Sequence, residues 1–488
     1  MALIRELDLP VRRPTVRSWT RSGARKTIIT SEAIKEYYPP VYAPSGIIGN
    51  LKFALRYEPI DLSVYDALFK VLDAESLEEW IQQEPTGAFV RRAWFLYEAL
   101  TGKLLDVDDV SPTGYINILD PKLHVTGPVR RVRRHRVNDN LLGDNTYCPL
   151  IRRTDVLNRA MASGLDLEAK SLVESCEPTI LARAVNYLYT KETKSSFAIE
   201  GEVPSAKRTE RFVAALTSAA RFDTSDPQAF IKLQNEIVDP RYAATGWRPV
   251  QSFIGETMSD FREHVHFVCP KPEDLTDLMN GWMRMMENLR DSKVDPVCAA
   301  AAASFGFVFI HPFEDGNGRI HRFLVHQELA SSGFTPHQML FPVSAVMMRD
   351  RKRYDEVLES FSQTVSPYID YEIHQDGSLV VNNETAHLYR FWDATAFAEY
   401  LYDCVAETIR TDLREEIGFL KVFGAAIRAT MDIVDMPNRR ATLLVRLILQ
   451  NNGRLSQAKR ATFSELKDEE ISAIERAVVS LSQNAPSS

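Results

Sequence analysis

The sequence predicts a mainly α-helical protein, with an α+β N-terminal region, one small β-hairpin in a helical core and a helical C-terminal region. Three observations carry that expectation. Apolar residues recur at helical spacing in many stretches, as in Leu181, Ala184, Val185, Leu188 and Tyr189. Alternating, strand-like stretches are few and short. The longest apolar run, Ala299 to Pro312, ends in a proline and then a glycine-rich turn, as a buried helix does.

Bulk properties bound the rest. A chain of 488 residues can bury several cores, and we expect three consecutive segments, 1–165, 166–375 and 376–488. A hydrophobic share of 45% and a charged share of 25% exclude a disordered or fibrous class. A net charge of -8 argues against a surface that binds nucleic acid all over, while leaving room for a local basic patch. The five cysteines lie far apart, without a CxxC pair, which fits a reducing cytosol better than a disulfide scaffold or a zinc ribbon. The N-terminus lacks the apolar run of a signal peptide. Gly306 and His311 interrupt the run Ala299 to Pro312, which falls short of the ~20 residues that span a membrane.

Along the chain, the first forty residues are basic and read as an extended entry segment ending at Tyr38-Pro39-Pro40. Val64, Leu68, Val71 and Leu72 form one helical stripe, and Val90, Trp94, Phe95, Tyr97 and Leu100 another. Residues Tyr115 to Val125 turn strand-like. The run Arg130 to Arg136 is either a strand whose cations meet solvent or acidic partners inside the chain, or a patch for nucleic acid or an acidic protein. Helices are expected to run up to Gly201, a natural helix stop, then over Ser205–Ala219, and over Leu275–Leu289 with Leu278, Trp282, Met285 and Met286 inward. Trp247 to Glu256 reads as an edge hairpin. An Asn452-Gly453 turn and a final amphipathic helix after Asp468 close the chain.

The chemistry concentrates in His311-Pro312-Phe313-Glu314-Asp315-Gly316-Asn317-Gly318-Arg319-Ile320-His321-Arg322. Pro312 pushes His311 out of helical geometry into a loop, where it can act as a general base. Asp315-Gly316-Asn317-Gly318 opens onto a helix N-terminus, whose amides and dipole make an anion nest. Arg319 and Arg322 lie three apart on that helix and suit a polyphosphate. Asp315 offers the hard oxygen that Mg²⁺ takes beside phosphates. Together these describe transfer from a nucleoside triphosphate. No Walker loop is present, and no dinucleotide fingerprint follows a strand. Singly, each part has an ordinary explanation: a packed loop histidine, a common turn, a solvated helix face.

The segment resembles the signature of the Fic family, HPFx[DE]GNGRxxR, at His311, Pro312, Phe313, Asp315, Gly316, Asn317, Gly318, Arg319 and Arg322, and the similarity runs over roughly 175–370. The C-terminal stretch from Leu447 to Ile471 is also similar to the tail of many bacterial Fic proteins. The resemblance implies a Fic-type helical core that transfers AMP from ATP to a Ser, Thr or Tyr hydroxyl of a target protein. It implies His311 as base and Asp315 as Mg²⁺ ligand. Gly316, Asn317 and Gly318 would cradle the phosphates, Arg319 and Arg322 would bind them, and Phe313 would pack beneath the loop. Tyr354 would lie on the nucleotide side. The hairpin from about Trp247 to Ile254 would be the flap that aligns an extended target segment. Ser196-Phe197-Ala198-Ile199-Glu200-Gly201 matches the family's inhibitory motif [ST]xxxE[GN], with Ser196, Glu200 and Gly201 at its fixed positions, upstream of the core as in class II members. The implied role is pairing of Glu200 with Arg322. Two positions depart from the pattern: Ser304 where many members have His, and Phe361 where an Asn is common.

Three other functions stand beside this one, the first being transfer of another nucleotide or a different phosphate group by the same site. The site could remove AMP from a modified protein by hydrolysis, with the glutamate positioning water. Alternatively, the helices after Met436 could form a helix-turn-helix-like or winged DNA-binding module, with Gly453 in the turn and Arg454, Lys459 and Arg460 near the phosphates. Self-modification and a homodimer belong with AMP transfer, a membrane partner with none of these, and nucleic acid only with the C-terminal module.

Overall fold

A computed structural model describes all residues except 1, 31–32, 175, 258–262, 291, 337–338 and 484–488. The protein is mainly helical, with short strands in four small sheets among the described residues. It divides into two compact units that are discontinuous in sequence. The first comprises 1–163, 196–334 and 347–402, the second 164–195, 335–346 and 403–488. The N-terminal region and the segment bearing His311 therefore share a unit. Backbone bonds from Cys148 N to Arg390 O and from Leu150 N to Trp392 O, each 2.9 Å, help to tie its distant stretches together.

The first forty residues are not an extended entry segment. They fold into strands β1 (Val16–Thr20), β2 (Lys26–Ile29) and β3 (Ile34–Tyr38), in the order β1-β3-β2. The central strand β3 pairs parallel with β1 and antiparallel with β2. Helices Gly46–Tyr57, Leu62–Val71, Ala74–Gln83 and Ala88–Thr101 follow, burying Leu51, Leu68, Leu77, Trp94 and Leu96. Asp61 and Asp73 accept from backbone amides at two of their N-termini, and Gly102 ends the last at φ 69°. Strands β4 (Ile116–Asn117), β5 (Arg130–Val132) and β6 (Val137–Asp139) make a second sheet. There part of the basic run meets acids of the chain itself, while Arg130, Arg131 and Arg133 remain exposed. Glu98 takes Arg134 at 3.1 Å, His135 at 2.9 Å and the Trp94 indole at 2.7 Å, while Arg130 pairs with Asp139 at 2.8 Å.

The site rests on two helices packed along each other, Pro296–Ile310 and Asn317–Ser331. The first is apolar all round and almost wholly buried. Asp295 caps it by accepting from Val297 N and Cys298 N, with Pro296 in its first turn. The Leu275–Leu289 helix packs beside it with Leu278, Trp282, Met285 and Met286 buried, and the Trp282 indole donates to Ala303 O at 2.9 Å. Strands β7 (Phe253–Thr257) and β8 (Glu263–Val268) form the antiparallel hairpin, its register broken at Ile254/Gly255. The hairpin thus begins later than Trp247, and the expected strand from there to Ile254 is mostly loop. Buried Arg248 pins that loop, donating to His311 O at 2.9 Å, Val250 O at 2.6 Å and Pro270 O at 2.5 Å.

In the second unit, helices Arg414–Ile433, Asn438–Gln450, Gln457–Arg460 and Asp468–Gln483 enclose Phe423, Leu444, Ile448, Phe463, Ile471 and Ile474. Asn452 and Gly453 make the expected turn, with φ 53° and 84°. Among the described residues after Val381 there is no strand, so a winged form lacks its wing. Arg460 is paired with Asp468 and Arg440 with Glu465. Among the described residues no helix is long and apolar enough to cross a membrane.

Candidate active site

His311 ends the Pro296–Ile310 helix in the left-handed region, φ 52° and ψ 57°. A non-glycine residue there is strained, and the neighbours hold it. Its own amide bonds Phe307 O, Nδ1 meets Val308 O at 3.2 Å, and its carbonyl takes the Arg248 guanidinium. Burial, reinforced by the positive charge of Arg248, pushes the imidazole pKa down to about 4. The ring is therefore neutral at pH 7 and able to accept a proton.

The loop after His311 is braced by its own side chains. Asn317 accepts from Phe313 N at 3.0 Å and donates to Phe313 O at 2.7 Å. Gln234 donates to Asp315 O at 3.1 Å. Buried Phe313 packs on Trp247, ring centroids 5.2 Å apart. Gly316 takes φ 94°, and a Cβ there would come within 2.9 Å of Val238. The Asn317–Ser331 helix then starts with its N-terminal end at the loop, a ready anion site.

The two arginines on that helix serve different partners. Arg322 is fully buried, and its guanidinium donates to Ser196 Oγ at 2.9 Å, Ser196 O at 2.8 Å and Glu200 Oε1 at 2.7 Å. The Tyr354 hydroxyl lies 3.5 Å away. Arg319 is equally buried, but is tied to Glu202 at 3.0 Å and Asp315 at 2.5 Å, with Phe197 stacked on it at 5.3 Å. Burial alone would raise the Glu200 pKa. The charge and hydrogen bond of Arg322, with Arg319 and Arg351 beyond, outweigh it and hold the carboxyl below its ordinary range. Burial raises the Tyr354 pKa, against the pull of Arg322.

Around these groups lies a cavity of about 510 Å³, a size suited to a small-molecule ligand. His311, Glu200, Gly318 and Tyr354 line it, together with Ile254 and His266 of the hairpin. The Glu200 carboxylate sits so close to Gly318 that a Cβ at 318 would collide with Oε1. A neutral imidazole, a helix N-terminus and a buried guanidinium thus lie close together, and the Glu200 carboxylate takes the guanidinium.

The geometry accordingly brings together His311, Phe313, Asp315, Gly316, Asn317, Gly318, Arg322, Tyr354, Ser196, Glu200 and Gly201, with Gly201 at φ 71° ending the helix segment. Arg319 and Arg322 are both buried behind the cavity wall, Arg322 paired with Glu200 and Arg319 with Glu202 and Asp315. Phe361 stacks on Phe309 at 4.0 Å, so that position belongs to the core. Ser304 is buried. The sequence reading missed Arg248, Gln234, Arg351 and Glu202. Arg351 donates to Ile199 O, at the root of the Glu200 segment. Only Glu202, two residues beyond Glu200, carried a local signal.

Comparison with known proteins places this loop. Residues 224–329 match the family model described as Fic/DOC. The match covers less than a quarter of the chain. A protein adenylyltransferase Fic from Nematostella vectensis is 33% identical over 105 residues, 21% of this chain and 23% of that protein. One of the same name from Drosophila ananassae is 42% identical over 69 residues, 14% of each. The chain thus spans less than a quarter of the length of these curated relatives. A Fic family protein from Desulfovibrio desulfuricans G20 aligns with a TM-score of 0.40 at 20% identity, covering 58% of this chain and 82% of that one. Fic-1 from C. elegans aligns at 0.33 and 18%, covering 54% and 72%. The Fic domain match includes the His311 loop and the hairpin, whereas Glu200 and Tyr354 lie outside it.

Proposed function

We propose that the chain transfers AMP from ATP to a hydroxyl of a protein, and that Glu200 restrains the reaction. The observation that carries this reading is one cavity, beside an exposed hairpin, that is lined by His311, by Gly318 in the first turn of the Asn317–Ser331 helix and by Glu200, which buried Arg322 holds from behind. Neutral His311 takes the proton of the attacking hydroxyl. The new bond forms between that oxygen and the α-phosphorus, the α–β bridging bond breaks, and pyrophosphate leaves. Arg322, freed from Glu200, holds the terminal phosphate, and the amides after Gly316 take the others. Arg319 then acts chiefly by fixing Asp315.

Mg²⁺ fits this site only in company. The described residues contain no group of three acidic, His or Cys side chains that could hold a metal. The Asp315 carboxylate, half-exposed at the loop, supplies one hard oxygen, the usual protein share for Mg²⁺ bound mainly to phosphates. When bound there, the ion supplies positive charge against the phosphate oxygens. A target segment adds to the hairpin by backbone pairing, since Ile254 and Gly255 are exposed beside His311.

One observation favours a second reading. Glu200 and His311 line the same cavity, so a carboxylate is at hand to position water for hydrolysis of an AMP–protein bond.

The test is intact mass spectrometry after incubation with ATP and Mg²⁺. A Glu200→Gly variant should gain one AMP on itself or on an added target, and the gain should vanish with His311→Ala. If Glu200→Gly gains nothing while the native chain releases AMP from a pre-modified protein, the hydrolytic reading replaces the first.

A further inference from the structure

The N-terminal sheet has a charged and aromatic face that the Fic chemistry leaves unused. The strand register sets two rows of side chains across that face. Trp19, Tyr37 and Lys26 form one row, and Arg17, Lys35 and Ile28 the next. Trp19 and Tyr37 are stacked, centroids 5.7 Å apart and planes 25° from parallel. The Arg21 guanidinium lies over the Tyr37 ring at 5.0 Å. The acid of this sheet, Glu36, falls on the opposite face, where it takes Thr27 and Arg25. Arg17, Arg21, Lys26 and Lys35 have no carboxylate partner among the described residues.

We infer that this face binds single-stranded nucleic acid, with unpaired bases adding to the Trp19–Tyr37 stack and the backbone phosphates meeting the four cations. Charge complementarity selects the ligand. The first forty residues carry eight basic against four acidic side chains in a chain of net charge -8, so the positive field is local. The aromatic pair selects among polyanions. Paired bases in a duplex are stacked on each other and withhold their faces, whereas a single strand offers them freely. Nothing in a phosphate-coated membrane or an acidic peptide uses a stack of two rings and a guanidinium in the same way. β1 and β2 are the outer strands of this sheet, so no further strand pairs beyond them.

The experiment is fluorescence anisotropy of fluorescein-labelled dT20 with the full chain. Binding is expected at 50 mM salt, weakening roughly 50-fold by 200 mM, because four released counterions on a single strand give a log–log slope of about -3. Arg17→Glu with Lys35→Glu, both half-buried on this face, should abolish it. Trp19→Ala should weaken it about tenfold, and Trp19→Phe should restore most of that loss. The inference is overturned if dT20 does not bind at 50 mM salt, or if the double charge reversal leaves binding unchanged. It is equally overturned if a 20-base-pair duplex, polyglutamate or phosphatidylserine vesicles compete as well as unlabelled dT20.

Discussion

Glu200 Oε1 lies 2.7 Å from Arg322 Nη2, and the same guanidinium holds both the hydroxyl and the carbonyl of Ser196. One buried cation therefore fastens the end of the Pro178–Ile199 helix, with Ser196 in its last turn and Glu200 just past it. Glu200→Gly should lower folding stability by ~1–3 kcal/mol, since hydrogen bonds to charged groups contribute on that scale and Arg322 stays buried. ATP with Mg²⁺ should recover part of it by occupying the vacated anion position. Urea midpoints with and without nucleotide measure both effects. A variant as stable as the native chain would mean that the pair contributes nothing to the fold.

Gly318 offers a sharper test of the same contact. In the native chain, Gly318→Ala drives a methyl into the Glu200 carboxylate and should destabilise. With Glu200→Gly present that obstacle is gone, and alanine's helix preference should instead stabilise by up to ~1 kcal/mol. A double-mutant cycle in thermal unfolding reads this reversal of sign. Additive effects would place the Glu200 carboxylate away from Gly318.

The pH profile follows from two depressed pKa values. A proton reaches His311 only near pH 4, so the neutral base is present above that. Glu200 is held below its ordinary value near 4.5, so its contribution is present above that pH and fades as pH falls through the lowered one. Neither group titrates between pH 6 and 8. Self-modification by Glu200→Gly should therefore show no acid limb across that range, and neutral pH changes alone should not relieve the native restraint. A rate that halves with an apparent pKa near 6.5 would show that the imidazole is more exposed than its surroundings here imply.

Arg248→Lys should be costly despite the conserved charge. The planar fork serves three carbonyls, which a single ammonium cannot reach together. A loss of ~2–4 kcal/mol in stability is expected, with a fall in kcat even where the variant is folded, because the carbonyl of His311 loses its brace. Guanidine midpoints and initial rates at low temperature separate the two.

The helices were legible because burial imprints a period. The Leu275–Leu289 and Asp468–Gln483 helices appear where their apolar spacing puts them. The loop from His311 to Arg322 was legible because proline, glycine and arginine at fixed intervals constrain the backbone and place charge. The N-terminal sheet was not, because β1 to β3 are half-exposed on both faces and lack the alternation of a sheet with one dry side. The hairpin was placed too early for a related reason. Trp247 to Gln251 is loop fixed by distant carbonyls, which no local pattern records. Arg248 and Gln234 escaped notice for the same cause. The fate of Arg319 depended on Glu202, whose reach to the distant Asn317–Ser331 helix is tertiary information.

The clasp between Asn317 and Phe313 gives the loop its shape from within, two hydrogen bonds closing a ring that asks nothing of any ligand. Under the proposed function, a phosphate arriving there would meet a mould already set, and binding would spend none of its energy on casting it. Restraint and scaffold are consequently separable parts. The Glu200 carboxylate can be altered, displaced or captured by another molecule, and the Asn317–Phe313 clasp will keep its form.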